Sequence, residues 1–92
     1  MANNPYGAKQ VSTGQATCTG AADLLVAARA SRIAVTLVNR SATAAYIGAS
    51  GVTTSTGVKL NENETLTLDT VAAIYGATSS GTATIHYVEE HN

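Results

Sequence analysis

The sequence predicts an all-β domain: a small antiparallel β-sandwich or flattened barrel of about seven to eight short strands, carrying an extended N-terminal arm. Three observations predict it. Beyond the first twenty residues, apolar side chains recur with period two in one segment after another. Turn-forming Gly, Ser, Thr and Asn separate these segments at short, regular spacing, as in sandwiches and small barrels. At 92 residues the chain is one domain burying roughly 60 to 65% of its unfolded surface, a thin core.

In chain order, residues 1–12 form the arm, and 13–92 the single sandwich domain. Asn3, Asn4, Pro5, Tyr6 and Gly7 show no periodicity and little to bury. Residues 21–29, AADLLVAAR, hold enough Ala and Leu for two helical turns, but helix propensity is a weak prior and a strand over 23–27 fits the β context better. Residues 32–38, RIAVTLV, alternate, with Ile33, Val35 and Leu37 on one face and Ala34, Thr36 and Val38 on the other. Asn39, Arg40 and Ser41 close that strand. Residues 46–48 start the segment YIGASGVTTSTGVKL, which reads as a strand, a Ser/Thr/Gly loop and a second strand ending at Leu60. Residues 60–64, LNENE, read as a hairpin or sheet-crossing turn, since Asn tolerates left-handed backbone. ETLTL at 64–68 directs Leu66 and Leu68 inward; residues 71–75 form a short apolar strand; Ser79, Ser80 and Gly81 form a turn; and TATIHYV at 82–88 alternates again.

Composition narrows the function. A net charge of −1, with Lys9, Arg29, Arg32, Arg40 and Lys59 scattered, does not fit a domain that binds nucleic acid by neutralising phosphates. The start, MANNPYGAKQ, lacks the charged and apolar regions of a signal peptide, and the longest apolar run, residues 21–30, is too short to span a bilayer. We therefore expect no nucleic-acid or membrane partner and a chain made in a cytoplasm. With a single cysteine there is no disulfide framework, so association is the cheapest source of added stability, and few charges suit a protein held in an assembly.

Candidate chemistry is sparse. Cys18 has no cysteine-enzyme signature around it, and a free cysteine is usually a small buried hydrophobe. HYVEEH at 86–91 invites a metal reading, but His86 and Glu90 on one strand face lie about 13 Å apart, too far to share an ion. A polar outer face and a solvated terminus explain it. Asp23, Glu62, Glu64 and Asp69 could offer a carboxylate pair, but turns and a strand end account for the last three and, without Trp or Phe, no pair has an aromatic substrate platform. The glycine-flanked loop at 51–57 lacks the Lys and following helix of a phosphate-binding loop. Tyr46, Tyr75 and Tyr87 lie in strands, where the ring packs and the hydroxyl reaches the rim. We expect no enzyme, no catalytic or metal residues and no cofactor.

Three segments together carry a resemblance: SRIAVTLVNRSATAAYIGASGVTTSTGVKL, ENETLTLDT and AAIYGATSSGTATIHYVEE. Their order resembles small β-sandwich virion proteins of tailed bacteriophages, over about residues 31–90. The resemblance implies a capsid decoration, or cement, protein that binds the outer head shell, with the major capsid protein and further copies of itself as partners, commonly as a homotrimer. It implies a virion location after synthesis in the host bacterial cytoplasm. The alternative it leaves open is a small head-fibre or tail module contributing to host-surface contact. On this reading the arm reaches a neighbouring subunit through Asn3, Asn4, Pro5 and Tyr6. The loop after Gly48 lies at one end of the sandwich and touches capsid or solvent through Val52, Thr53 and Thr54.

Overall fold

A computed structural model describes residues 7–92. They form eight strands: β1 (Gln10–Thr19), β2 (Asp23–Val26), β3 (Arg32–Asn39), β4 (Ala45–Gly48), β5 (Val58–Leu60), β6 (Thr65–Leu68), β7 (Ile74–Ala77) and β8 (Thr82–His91). Two four-stranded antiparallel sheets result, ordered β1-β8-β3-β6 (sheet A) and β2-β7-β4-β5 (sheet B). This is a β-sandwich. The segment at 21–29 resolves as strand β2, not as a helix.

The core lies between the sheets. Val35, Leu37, Ala83, Ile85 and Cys18 from sheet A meet Leu25, Val26, Ala45, Ile47, Leu60 and Ile74 from sheet B and its edges. Period two directs them there, because alternate residues of a strand point to one face. Leu66 and Leu68 of β6 face the same layer but stay half-buried.

Four expectations need correction. The strand pairing begins at Gln10, opposite His91, so residues 10–12 belong to sheet A and not to an arm ending at residue 12. Strand β1 has small residues on its inner face, Ser12, Gly14, Ala16 and Cys18, so its sequence shows no large apolar alternation. Tyr87, directly opposite Gly14, lies over it; a Cβ at position 14 would sit 2.5 Å from the Tyr87 hydroxyl. In β3 a bulge between Arg32 and Ala34 shifts the phase, so Arg32, Val35, Leu37 and Asn39 are buried while Ile33 is only half-buried.

The strand expected over 71–75 begins at Ile74, because the preceding backbone is used elsewhere: the carbonyls of Thr70 and Ala72 accept from the Arg32 guanidinium, and that of Val71 from the Arg29 amide. The terminus after Val88 is not a solvated tail either. Strand β8 continues to His91, and its inward positions Glu89 and His91 are buried.

Two polar clusters pin the ends. Arg32, its side chain fully buried, donates from Nε to Glu89 Oε2 at 2.9 Å and from Nη1 to Thr70 O and Ala72 O at 3.0 and 2.9 Å. Its Nη2 donates to Ala27 O. Arg29 stands 3.7 Å from the other Glu89 oxygen. At the opposite end Asn39, fully buried, donates to Thr43 O and Leu60 O at 2.8 and 2.9 Å and accepts from Ser41 N and Oγ at 3.0 and 2.7 Å. A buried polar group costs stability unless it is bonded; the Asn39 amide is saturated, and each nitrogen of the Arg32 guanidinium has an acceptor. Asn63, at φ 64°, takes the left-handed conformation in the turn that crosses from sheet B to sheet A.

Candidate contact surface

The loop at 49–57 joins β4 to β5 but does not extend away from the sandwich. Its valine decides where it goes. Val52 is 7% exposed and packs between Gly48 and Gly57: a Cβ on either glycine would come within 2.7 to 2.8 Å of Val52 Cγ2. Those glycines share the outer face of sheet B with Tyr46, so the loop folds back over that face. It reaches as far as the β1–β2 turn and the end of β7, where residues 20–22, 51–54 and 77–78 surround a depression of about 350 Å³. Ala77, on the same outer face as Tyr46, is consequently buried.

The loop also satisfies itself. Val52 N donates to Ala49 O across a turn in which Gly51 has φ 84°. Thr53 accepts at its carbonyl from Thr56 N and Gly57 N, and at its hydroxyl from Ser55 N and Thr56 N; Thr53 N donates to Thr56 Oγ1. Of the three loop residues expected to touch a partner, Val52 is therefore an internal plug, and Thr53 is exposed with its hydroxyl engaged by its own loop. Thr54 is exposed. Asn3, Asn4, Pro5 and Tyr6 lie outside the described residues.

Sheet A has no such roof among the described residues. Its outward positions are Val11, Thr13, Gln15 and Thr17 on β1, Thr84, His86, Val88 and Glu90 on β8, Ala34, Thr36 and Val38 on β3, and Thr65 and Thr67 on β6. Only Glu90, at one end, is a carboxylate, and none is Lys or Arg. The centre of this face is a groove of about 590 Å³ lined by Thr13, Gln15, Thr36, Val38, Thr65 and His86 among others. Thr36 and Thr67 bond to each other through their hydroxyls at 3.0 Å. Val11, at 66% exposure, continues the uncharged surface along β1. On β3, β6 and β8 sequence alternation identified outward residues singly; those of β1, and the fact that all adjoin across four strands, follow only from the strand order.

A second open surface lies where the sheets end at β5 and β6. Neither strand has a neighbour on its outer side among the described residues. Between them an apolar slot of about 270 Å³ is lined by Ile47, Val58, Leu66, Leu68, Ala73 and Ile74, among others. Val58 there is 56% exposed.

Cys18, Asp23 and His91 are tied into the fold. Burial foremost, and then the Asp23 carboxylate, push the Cys18 thiol above its ordinary pKa, while a hydrogen bond with the Ala83 backbone acts the other way. The protonated thiol is a poor nucleophile. Asp23 itself accepts from Thr19 N at 2.9 Å, tightening the β1–β2 turn. His91 is bonded at Nε2 to Ser12 Oγ (2.8 Å), which joins β8 to β1. His86, on the bare face, is exposed. No helix among the described residues is long and apolar enough to cross a membrane. Compared with protein-family models, curated proteins and solved structures, the chain finds no match in any of the three.

Proposed function

We propose that the chain is a structural protein of a bacteriophage virion, a decoration protein that lies on the outer head shell and assembles with further copies of itself, as a homotrimer, to hold capsid subunits together. The observation that carries this reading is the asymmetry of the two faces: sheet B has its own loop folded over the part around Gly48, Gly57 and Ala77 and carries the exposed Lys59, while the outward strand residues of sheet A form an uncharged groove of hydroxyls and valines. A solvated sheet face ordinarily alternates charged side chains into water. Hydroxyls and valines desolvate at lower cost than charges, which suits a face that meets protein. The order of the three segments between residues 31 and 90 supports the virion context, and the open β5–β6 side supports self-association. The capsid-facing surface is then the groove of sheet A, with the major capsid protein as partner.

The test is co-sedimentation of the purified chain with capsids built from the head protein encoded alongside it. Val38→Lys places a charge in the groove, and Thr54→Lys places one on the roofed side. The first should weaken binding at least tenfold, about 1.4 kcal/mol, and the second should bind like the parent. A chain that sediments with tails and not with heads supports the head-fibre or tail alternative. Binding to neither, or equal binding by Val38→Lys, refutes the assignment of this face.

A further inference from the structure

Edge strands in natural β proteins are ordinarily blunted by being short, by charge within the strand, by proline or by a bulge. Strand β5 is short and carries Lys59; strand β6, Thr65-Leu66-Thr67-Leu68, is short but holds no charge, proline or bulge, and its half-buried leucines open onto the slot beside Val58. We propose that this open side is where one copy of the chain joins the next, with β5 of one copy running antiparallel to β6 of its neighbour. This deepens the self-association proposed above, rests on it, and does not depend on the capsid partner.

Charge selects the pairing. If β5 paired with β5 of a second copy about its middle residue, Lys59 would stand opposite Lys59. Like charges directly opposite are destabilising. If β6 paired with β6 with its leucines on one face, Asp69 would stand opposite Thr65, with no cation beside it. Pairing β5 with β6 separates the lysines and gives Asp69 a cation. Lys59 then faces Thr67 of the neighbour and lies diagonally, roughly 7 to 8 Å away, from Asp69, within reach of a lysine side chain. Lys59 and Asp69 are both exposed.

The apolar residues agree with this register. Val58 and Leu60 point inward on β5, as Leu66 and Leu68 do on β6, so Leu60 meets Leu66 and Val58 meets Leu68 of the neighbour. The height of the two strands agrees as well. Asn39 bonds both Leu60 O, through its side chain at 2.9 Å, and Glu64 O, through its amide at 3.2 Å. The end of β5 and the start of β6 are thereby level. A rotation axis parallel to the strands preserves that level in the next copy, and it carries each sheet B into the neighbour's sheet A. Such a contact joins two different edges, and a rotation that divides a full turn evenly closes it into a ring with no apolar slot left open.

The experiment uses Lys59→Cys and Thr67→Cys in the full chain, treated with a short bis-maleimide; Cys18, at 0% exposure, serves as the unreactive thiol of the parent. A mixture of the two variants should cross-link to a covalent pair, while either alone should stay single on a denaturing gel. Mass measurement of the uncross-linked protein runs beside it. Cross-linking within one variant alone, or an oligomer of unchanged mass with no product from the mixture, overturns the β5–β6 pairing and leaves self-association standing. A monomer overturns both. As a second arm, Asp69→Lys should weaken association about fivefold or more, and Lys59→Glu with Asp69→Lys should restore it. A double variant no tighter than Asp69→Lys alone overturns the register.

Discussion

Replacing Arg32 by Lys tests how the lower end of the sandwich is held. The guanidinium makes four hydrogen bonds, one to the Glu89 carboxylate and three to the backbone carbonyls of Ala27, Thr70 and Ala72. It thus joins β3 and β8 to the two connections that cross between the sheets. Lysine keeps the positive charge near Glu89 but offers a single ammonium, which cannot reach carbonyls spread around a planar fork. At least two partly buried carbonyls lose their donor. Each lost bond to the charged guanidinium costs about 1 to 2 kcal/mol, so Arg32→Lys should destabilise the fold by about 2 to 4 kcal/mol. Arg32→Met also strips Glu89 of its close partner, leaving only Arg29 at 3.7 Å, and should cost about 3 to 5 kcal/mol. A domain of this size has a total stability on the order of 5 to 15 kcal/mol, so either change is large. Urea unfolding followed by circular dichroism reads the difference as a shift in midpoint at constant slope. If Arg32→Lys unfolds within about 0.5 kcal/mol of the parent, the fork geometry does not hold this end and the reasoning fails.

Asn39→Ala removes two donated and two accepted bonds at a fully buried site and should cost about 2 to 4 kcal/mol in the same assay; a cost under about 1 kcal/mol would mean that water replaces the side chain there. Gly57→Ala forces a Cβ to within 2.8 to 2.9 Å of Val52, Tyr46 Cβ and the Tyr46 backbone, so it should free the loop at 49–57, read as faster amide exchange or proteolysis there. Unchanged protection of residues 49–57 would show that Val52 does not anchor the loop. Cys18 is held as a thiol in the folded chain, so its contribution to stability is complete below the unfolded cysteine pKa of about 8.5 and is lost as pH rises through the higher folded value. Stability should therefore fall on the alkaline side in the parent more than in Cys18→Ala, and the parent thiol should react with a disulfide reagent at the rate of unfolding; immediate reaction in the native state would refute its burial.

Strands β3, β6 and β8 were legible because their alternation uses large side chains, as in Val35 and Leu37 or Ile85 and Tyr87. Strand β1 was not, since its inner face needs small residues beneath Tyr87 and its largest apolar residue, Val11, points to solvent. In the sequence Arg32 reads as a basic residue opening a strand and Glu89 as part of a polar face and solvated terminus, because the bulge that turns Arg32 inward leaves no local mark in RIAVTLV, and three of its four partners are 38 to 57 positions away. The turn at 60–64 was legible through its asparagines, and Asn63 takes the left-handed backbone. The contact surface was legible only in part. Thr53 and Thr54 were recognised as exposed, but Val52 looked like a tip residue because nothing local reveals that Gly48 and Gly57 make room for it.

The loop folded over sheet B gives the molecule a top and a bottom. Its turn closes through Thr53 and Thr56, while Thr54 and Ser55 at its crest are exposed and form no side-chain bond beyond the turn. A foreign peptide spliced between those two residues would widen the Thr53–Thr56 turn while leaving the Ala49–Val52 turn and both sheets untouched. On any surface met by the bare groove of sheet A, each copy would then carry such an insert pointing the same way, outward, which makes residues 54 and 55 a natural place to display a ligand.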